Sequence, residues 1–574
     1  MTNLEIAKVF SEMAILFEMD GVPFKPRAYE KAGQSIELLD AELAGSYREK
    51  GRDAFKGIPG VGKGIADHLE ELFKKGDFHE HAMLRKKYPV AISDLSAVEG
   101  VGPKMIKMLW QKLKIKNLVD LERLARAEKI RNLPGLGEKS EQKILKGVEF
   151  LKISGGRKLL GSVLPKIRML EREIRSFPEV QEVMIAGSLR RRKETIGDID
   201  ILVASSKPDA VMQKFFALPV IAHVYGHGST KANVKLKNGL DADLRVVPKE
   251  SWGAALNYFT GSKEHNVALR KLAIKKGWKL NEYGLYAGKK MIAGKTEEDL
   301  YKKLGLRYIE PEMREDTGEI EAARLNKLPH LVGYGDIRGD LQVQTSWTDG
   351  KNSIEEMAMA AAKAGLQYIA ITDHTQYLAM ARGLDEKRIT LQMAEIDRVN
   401  KKLQKLKIGC RVLKGTECDI HKDGSLDLPD SILAKLDVVG VSVHSYFKLS
   451  RQDQTARLIR AIENPNVDIV FHLTGRLINK REPIDLDIDA VIAAAKRTGT
   501  ILEGNASPER LDLKDEYIRK CVAAEVKMVI DSDAHAAAHF SFLEYGIAQA
   551  RRGWAEKKDI INTLPLKEFL KFLK

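Results

Sequence analysis

Apolar side chains recur at helical spacing through the first quarter of the chain and at strand spacing beyond it. From residue 3 to about 151 short amphipathic helices succeed one another, as where Leu4, Ala7, Met13, Ala14 and Phe17 share one face, and no strand is expected. From 155 to about 247 helix and strand alternate. Apolar runs at 180–186 and 201–204 flank a polar turn, predicting strand, turn, strand, and a further strand covers 240–247. Residues 251–310 open as a helix. Residues 311–338 read as a polar connector, the expected main domain boundary. From 339 the pattern becomes repeated strand–helix units, with apolar strands near 341–343, 368–371, 411–414, 438–443, 469–471, 500–502 and 527–530. Seven such units predict a parallel, barrel-like sheet wrapped by helices, with its chemistry at the carboxyl ends of the strands.

The helical stretch is punctuated three times by Gly-apolar-Gly: Gly60-Val61-Gly62, Gly100-Val101-Gly102 and Gly135-Leu136-Gly137. Each makes a tight hairpin with bare N–H groups at the start of the next helix, an anion site for a phosphate backbone that ignores base sequence. One such turn is ordinary punctuation; three are a repeat. Charge agrees. Residues 336–574 carry 36 Lys/Arg against 35 Asp/Glu, which leaves 59 against 45 for the first 335. A basic N-terminal portion joined to a nearly neutral remainder points to a polyanion partner for the first part only.

The polar turn at 187–200 carries the sharpest chemistry. Gly187-Ser188 opens it with N–H groups suited to a phosphate. Asp198 and Asp200 are two apart on a strand, so both carboxylates share a face and repel unless a cation sits between them. Asp241 and Asp243 repeat the arrangement, and spacing alone does not choose between them. Phosphate turn plus paired acids indicates nucleotidyl transfer; the plainer reading is a polar hairpin with solvated acids. In the barrel-like part, His374, Glu417, His444, His472, Asn505, Asp533 and His535 follow the strands, a pattern better suited to a metal cluster than to scattered structural polar groups.

At 574 residues and 44% apolar content the chain is several domains with real cores. No apolar run reaches about 18 residues and no basic-apolar leader opens the sequence, so a soluble cytoplasmic protein is expected. Cys410, Cys418 and Cys521 form neither a disulfide framework nor a CxxC pattern.

These residues together resemble the bacterial and archaeal family X DNA polymerases that carry a C-terminal PHP (polymerase and histidinol phosphatase) domain, over nearly the whole chain. The narrowest match is Tyr258-Phe259-Thr260-Gly261-Ser262 with Asn266 and Arg270; Gly187-Ser188 with Gly197-Asp198-Ile199-Asp200 is shared with many nucleotidyltransferases. The resemblance implies a multidomain α+β and α/β fold. Its parts are an 8-kDa-like helix-hairpin-helix domain at 1–85, fingers with further helix-hairpin-helix motifs at 86–154 and a palm at 155–248. A thumb at 249–316, a linker at 317–335 and a (β/α)7 PHP barrel at 336–574 complete it. It implies that Asp198, Asp200 and Asp243, rather than Asp241, hold two Mg²⁺ (or Mn²⁺). Ser188 and Arg191 would contact the triphosphate, and Tyr258, Phe259 and Gly261 would crowd the sugar so that a deoxynucleotide is preferred. Asn266 and Arg270 would contact the nucleotide or the template minor groove. Gapped or primer-template DNA and dNTPs are the expected partners of a monomer.

Two positions depart from the family pattern. A lysine that forms a Schiff base in relatives with lyase activity is matched here by His68, whose imidazole cannot form that imine, leaving Lys63 or another amine to substitute. The PHP opening Asp-Leu-His-x-His reads Asp340-Leu341-Gln342-Val343-Gln344, so two ligand histidines are glutamine. The matching ligands Asp349, His374, Glu417, His444, His472, Asp533 and His535 remain for Zn²⁺ or Mn²⁺, and one site of a trinuclear cluster is expected to be lost or weakened. A gap-filling repair polymerase is the leading expectation. A DNA-end-binding scaffold with decayed catalysis, and a chain whose main activity is a 3′–5′ exonuclease or phosphatase, are the competing readings.

Overall fold

Helix Lys63–Lys75 shows how the N-terminal part is built. Ile65, Ala66, Leu69 and Leu72 fall on one face and are buried, while Lys74 and Lys75 sit at its C-terminal end, where cations suit the helix dipole. Each large apolar side chain so buried contributes roughly 1.5–3 kcal/mol. The computed structural model describes every residue except Thr2, Leu38, Asp40, Ala41, Ala97, Glu99, Gly100 and 154–156. The chain forms two compact units, Met1–Gly156 with Asn479–Arg481, and Arg157–Ile478 with Glu482–Lys574. The first is helical from Asn3–Asp20 to Glu138–Ile153 around one apolar core.

Three turns in this unit are built alike. Val61 N–H donates to Ile58 O (3.1 Å), Val101 to Val98 (3.0 Å) and Leu136 to Leu133 (3.0 Å); one step later Ala66 donates to Gly62, Ile106 to Gly102 and Glu141 to Gly137. Gly60 and Gly135 have φ of +85° and +76°. At Gly60 an added Cβ would also meet Ala32 N at 3.0 Å. Gly100 lies outside the described residues.

In the second unit β1 (Lys158–Leu159) pairs with β3 (Thr195–Ile196). A five-stranded sheet runs in the order β2 (Glu182–Ile185), β4 (Asp198–Ala204), β7 (Asp241–Val247), β6 (Lys231–Leu236) and β5 (Ile221–His227), with β4 and β7 parallel and the other pairs antiparallel. Alternation explains its two faces. Ile199, Ile201, Val203, Ala242, Leu244 and Val246 enter the core beneath helices Leu160–Arg175 and Pro208–Phe216. Opposite them lie Asp198, Asp200, Asp241 and Asp243, followed by Leu202 and Val247, which pack on helix Trp252–Thr260. β8 (Trp278–Asn281), β9 (Gly284–Ala287) and β10 (Lys290–Ala293) form an antiparallel sheet beside helices Lys263–Lys275 and Glu297–Leu304.

β11 (Gly339–Val343), β12 (Tyr368–Ile371), β13 (Arg411–Asp419), β14 (Val438–Ser442), β15 (Ile469–Val470), β16 (Ile501–Asn505) and β17 (Met528–Asp531) lie in sequence order, all parallel. The ring is drawn closed just past β17, where Ala534 N–H donates to Gln342 O (3.1 Å) and Gln344 N–H to Ala534 O (2.8 Å). The seven-unit barrel expected from the sequence is therefore present. Its residues Ile478, Leu511 and Tyr545 pack into the core of the five-stranded sheet.

Two expectations are corrected. The turn after β2 is a single helical turn, Gly187–Arg190, and it opens on a glycine because φ there is +59° and the Asp200 carboxylate leaves no room for a Cβ. The stretch 311–338 is not the main boundary, which falls near 156 instead. Pro311 to Arg314 are buried and helix Glu319–Arg324 packs on the thumb-like core. Three of its charges are internal: Arg314 pairs with Glu297 (2.5 Å), Glu319 with His265 (2.6 Å) and Glu312 with Arg551 (2.8 Å).

Candidate active site

The parallel pairing of β4 with β7 sets Asp200 opposite Asp243 and Asp198 opposite Asp241. Burial, then the charges of Asp198 and Asp243, push the Asp200 carboxyl up to about 7. Asp241 instead pairs outward with Lys235 at 3.0 Å and is half exposed. Asn233 donates through Nδ2 to Asp243.

A cavity of about 430 Å³ opens over these acids, within the range of ligand sites. Gly187, Ser188, Arg191, Asp198, Asp200, Tyr258, Phe259, Gly261, Asn266 and Arg270 line it, so nearly all the residues singled out around the turn and the Tyr-Phe-Thr-Gly-Ser run are brought together. Asp243 and Gly197 are not in the lining; Gly197 lies under the Arg157 guanidinium, which a Cβ would meet at 2.8 Å. Arg157, Lys193 and Lys263 also line the cavity and were not singled out from the sequence, although the density of cations after Ser188 was a signal. Five cations facing two carboxylates suit a polyanion that arrives with divalent metal. Ser188 Oγ is buried without a hydrogen-bond partner among the described residues, as a hydroxyl meant for a ligand oxygen would be. The oxygen-only donor set of the Asp side chains fits Mg²⁺.

Tyr258 and Phe259 meet edge to face with centroids 5.2 Å apart. Asn266 supports the pair from behind: its Nδ2 donates to Tyr258 O at 2.7 Å. Behind Asn266 runs a chain of contacts, Asn257 to Tyr301 (3.0 Å), Tyr301 to His265 (2.9 Å) and His265 to Glu319 (2.6 Å). Arg270 Nε donates to Asn266 O (3.3 Å). Arg190 leaves the cavity and grips Glu297 (2.6 and 2.9 Å), which Arg314 also holds.

At the carboxyl end of the barrel strands Glu417 is the hub. Its Oε1 lies 2.8 Å from His472 Nε2 and 3.3 Å from His444 Nε2, and its Oε2 lies 3.4 Å from His374 Nδ1. Burial opposes its charge, but the three imidazoles hold the carboxyl well below the usual range. Burial is likewise overcome at His444, raised to about 9 by Asp419 and Glu417, and at His535, raised to about 10 by Asp349 and Asp533. Two sets have the spacing of metal ligands: Asp349 with His374 and His535, and His374 with Glu417 and His444. His374 Nδ1 is buried without a hydrogen-bond partner among the described residues, which fits a ligand role. The two glutamines are engaged with neighbouring side chains. Gln344 Nε2 donates to Glu417 Oε2 at 2.6 Å, placing a donor where a metal needs a lone pair, and Gln342 Oε1 accepts from Asn505 (2.9 Å). Asp533 pairs with Arg510 at 3.4 Å. Asp419 and Glu503, close to His444 and to the His472 N–H, were missed, having nothing distinctive in their spacing.

In the first unit Gly62, Gly102 and Gly137 are exposed at helix starts with open space in front of each. Lys63 and Lys104 stand beside the first two, Glu138 beside the third. His68 is stacked on Phe78 (centroids 4.5 Å apart) and bonded to Tyr29.

Family descriptions match four stretches: a helix-hairpin-helix domain at 1–78, a SAM-like helix-hairpin-helix tandem at 92–149, a DNA polymerase beta thumb at 255–315 and a PHP domain at 340–530. The DNA polymerase/3′-5′ exonuclease PolX of Bacillus subtilis (strain 168) is 36% identical over 579 residues, covering 100% of both chains. DNA polymerase lambda of Rattus norvegicus is 26% identical over 345 residues, 54% of this chain and 56% of its own. A probable phosphatase of Thermoanaerobacter sp. (strain X514) is 31% identical over 232 residues, 38% of this chain and 88% of its own.

Proposed function

The chain belongs to the family X DNA polymerases that carry a C-terminal PHP domain, and we propose from that premise that it fills short gaps in DNA at the cavity over Asp198 and Asp200. The observation that carries this reading is the meeting, in one cavity, of paired acids, five cations and an unpartnered buried serine hydroxyl. Asp198, Asp200 and Asp243 would hold the divalent ions. Once bound, these supply acidification of the primer 3′-hydroxyl and neutralisation of the leaving pyrophosphate. Ser188 donates to a phosphate oxygen, and Arg191 and Lys193 balance the triphosphate charge. Tyr258, steadied through Asn266, crowds the sugar edge and disfavours a 2′-hydroxyl. The exposed turns at Gly62 and Gly102 grip backbone phosphates, with the Gly135–Gly137 turn weaker because Glu138 opposes an anion there.

Extension of a one-nucleotide gap in Mg²⁺, lost in Asp200→Ala while gapped-DNA binding persists, is the expected result. Binding without turnover by the unaltered chain would overturn it in favour of a scaffold.

The barrel supports a second reading. The Gln344–Glu417 bond favours loss of one metal position and retention of the sets around His374, and hence a 3′–5′ nuclease much reduced. Robust Mn²⁺-dependent shortening of a 3′ end, abolished by His374→Ala and untouched by Asp198→Ala, would sink that view. Schiff-base chemistry at His68 is not proposed, since an imidazole forms no imine.

A further inference from the structure

The turn that carries Arg191 and Lys193 is held partly from outside the polymerase portion. Arg192 has φ +55°, a left-handed conformation that a residue with a side chain keeps only where its surroundings over-determine it. Arg191 and Lys193 N–H groups donate back to Gly187 O and Ser188 O, and the Arg191 guanidinium donates to Thr260 O; the barrel supplies the rest of those surroundings. Arg552, at the end of helix Leu543–Arg552, is almost wholly buried and donates through NH1 to Arg191 O (2.9 Å) and to Glu315 (3.0 Å). Its NH2 is anchored on Asp515 at 2.6 Å. Glu315 Oε1 also accepts from Arg191 Nε (3.1 Å), so one guanidinium fixes both the backbone and, through a shared carboxylate, the side chain of Arg191. Further along the turn Arg192 lies 3.4 Å from Glu544, and Glu194 pairs with Arg476 at 2.8 Å. Neighbouring residues of one turn are thus tied to three barrel side chains.

We infer that Arg552 is a positioning residue for the incoming nucleoside triphosphate: the barrel sets the Arg191–Lys193 turn at the height from which its cations meet the phosphates. This rests on the reading that Arg191 and Lys193 contact the triphosphate, and it gives the barrel a part in polymerisation that is independent of its metal ligands. Arg552 itself does not line the cavity. Its loss should weaken nucleotide capture and leave the acids and the DNA-binding turns intact.

The test uses the full-length chain on a one-nucleotide gap in Mg²⁺, with kcat, the KM for dNTP, the Kd for gapped DNA and Tm measured for Arg552→Gln, Arg552→Lys and Glu544→Gln. Arg552→Gln is expected to raise the dNTP KM about tenfold with kcat within about threefold and the DNA Kd unchanged. Arg552→Lys, which keeps a donor for the Arg191 carbonyl, should recover most of the loss, and Glu544→Gln should raise KM about threefold. A folded Arg552→Gln with unchanged KM overturns the inference, as does a parallel decline of kcat, DNA affinity and Tm, which marks a merely structural role. Should the Arg552 variants fail to fold, Glu544→Gln decides alone, an unchanged KM overturning the proposal. A wild-type chain without extension overturns it too, but through its premise, and is told apart by the absence of any KM to compare.

Discussion

Asp243 faces Asp200 across the β4–β7 pair, whereas Asp241, two residues earlier on the same face, is drawn outward to Lys235. The two acids that spacing could not separate are separated by their partners. Asp243→Asn should therefore lower kcat for gap filling by on the order of 10³-fold. Asp241→Asn removes only an exposed ion pair and should stay within about threefold. Steady-state extension by both variants checks this; equal losses would contradict it.

The paired glycines of the first hairpin have different tasks. Gly60 needs its left-handed φ and has Ala32 against it, so Gly60→Ala should cost about 1–2 kcal/mol of stability in the N-terminal unit. Gly62 has ordinary φ and open space, so Gly62→Ala should leave stability nearly unchanged and weaken DNA binding, because a methyl group stands where a phosphate would approach. Denaturant titration and fluorescence anisotropy on a gapped duplex separate the two effects.

Glu297 sets a pH dependence. Burial disfavours its charge, and the Arg314 and Arg190 guanidiniums overcome that and hold its carboxyl down at about 2, below the ordinary 4.5. A depressed folded value means that its stabilisation is complete above pH 4.5 and is lost as pH falls towards 2. Glu297→Gln should cost about 3–5 kcal/mol near neutrality, since the buried Arg314 and half-buried Arg190 guanidiniums lose their counter-charge. It should also flatten the decline of Tm between pH 4.5 and 2, as followed by calorimetry; an unchanged slope would exclude this role.

Restoring imidazoles at the barrel end should restore metal. In an Asp200→Ala background, Gln342→His with Gln344→His removes the amide donor on Glu417 and adds two ring nitrogens. Bound Mn²⁺ should rise by about one ion per chain in elemental analysis after desalting, and 3′ shortening should increase. Identical metal content before and after the exchange would count against a missing site.

What the sequence made legible was periodic or local. The period-two pairs Asp198 with Asp200 and Asp241 with Asp243, the three Gly-apolar-Gly turns and the seven strand–helix units all follow from spacing that short segments carry, whereas the choice of Asp243 over Asp241 does not. The misreading of 311–338 shows the limit: Arg314, Glu312 and Glu319 look solvent-bound in a row of polar residues. They are buried because Glu297, Arg551 and His265 meet them from elsewhere in the chain. Lys193 stood inside the motif yet its direction depends on the left-handed Arg192, which no pattern announces. Arg552 is 361 residues from its partner carbonyl.

Ile478, Leu511 and Tyr545 of the barrel are packed into the sheet that bears Asp198 and Asp200, so excising the barrel would strip apolar cover from the polymerase itself. The barrel is thereby tied to the polymerase sheet by packing alone, whatever its own ligands do.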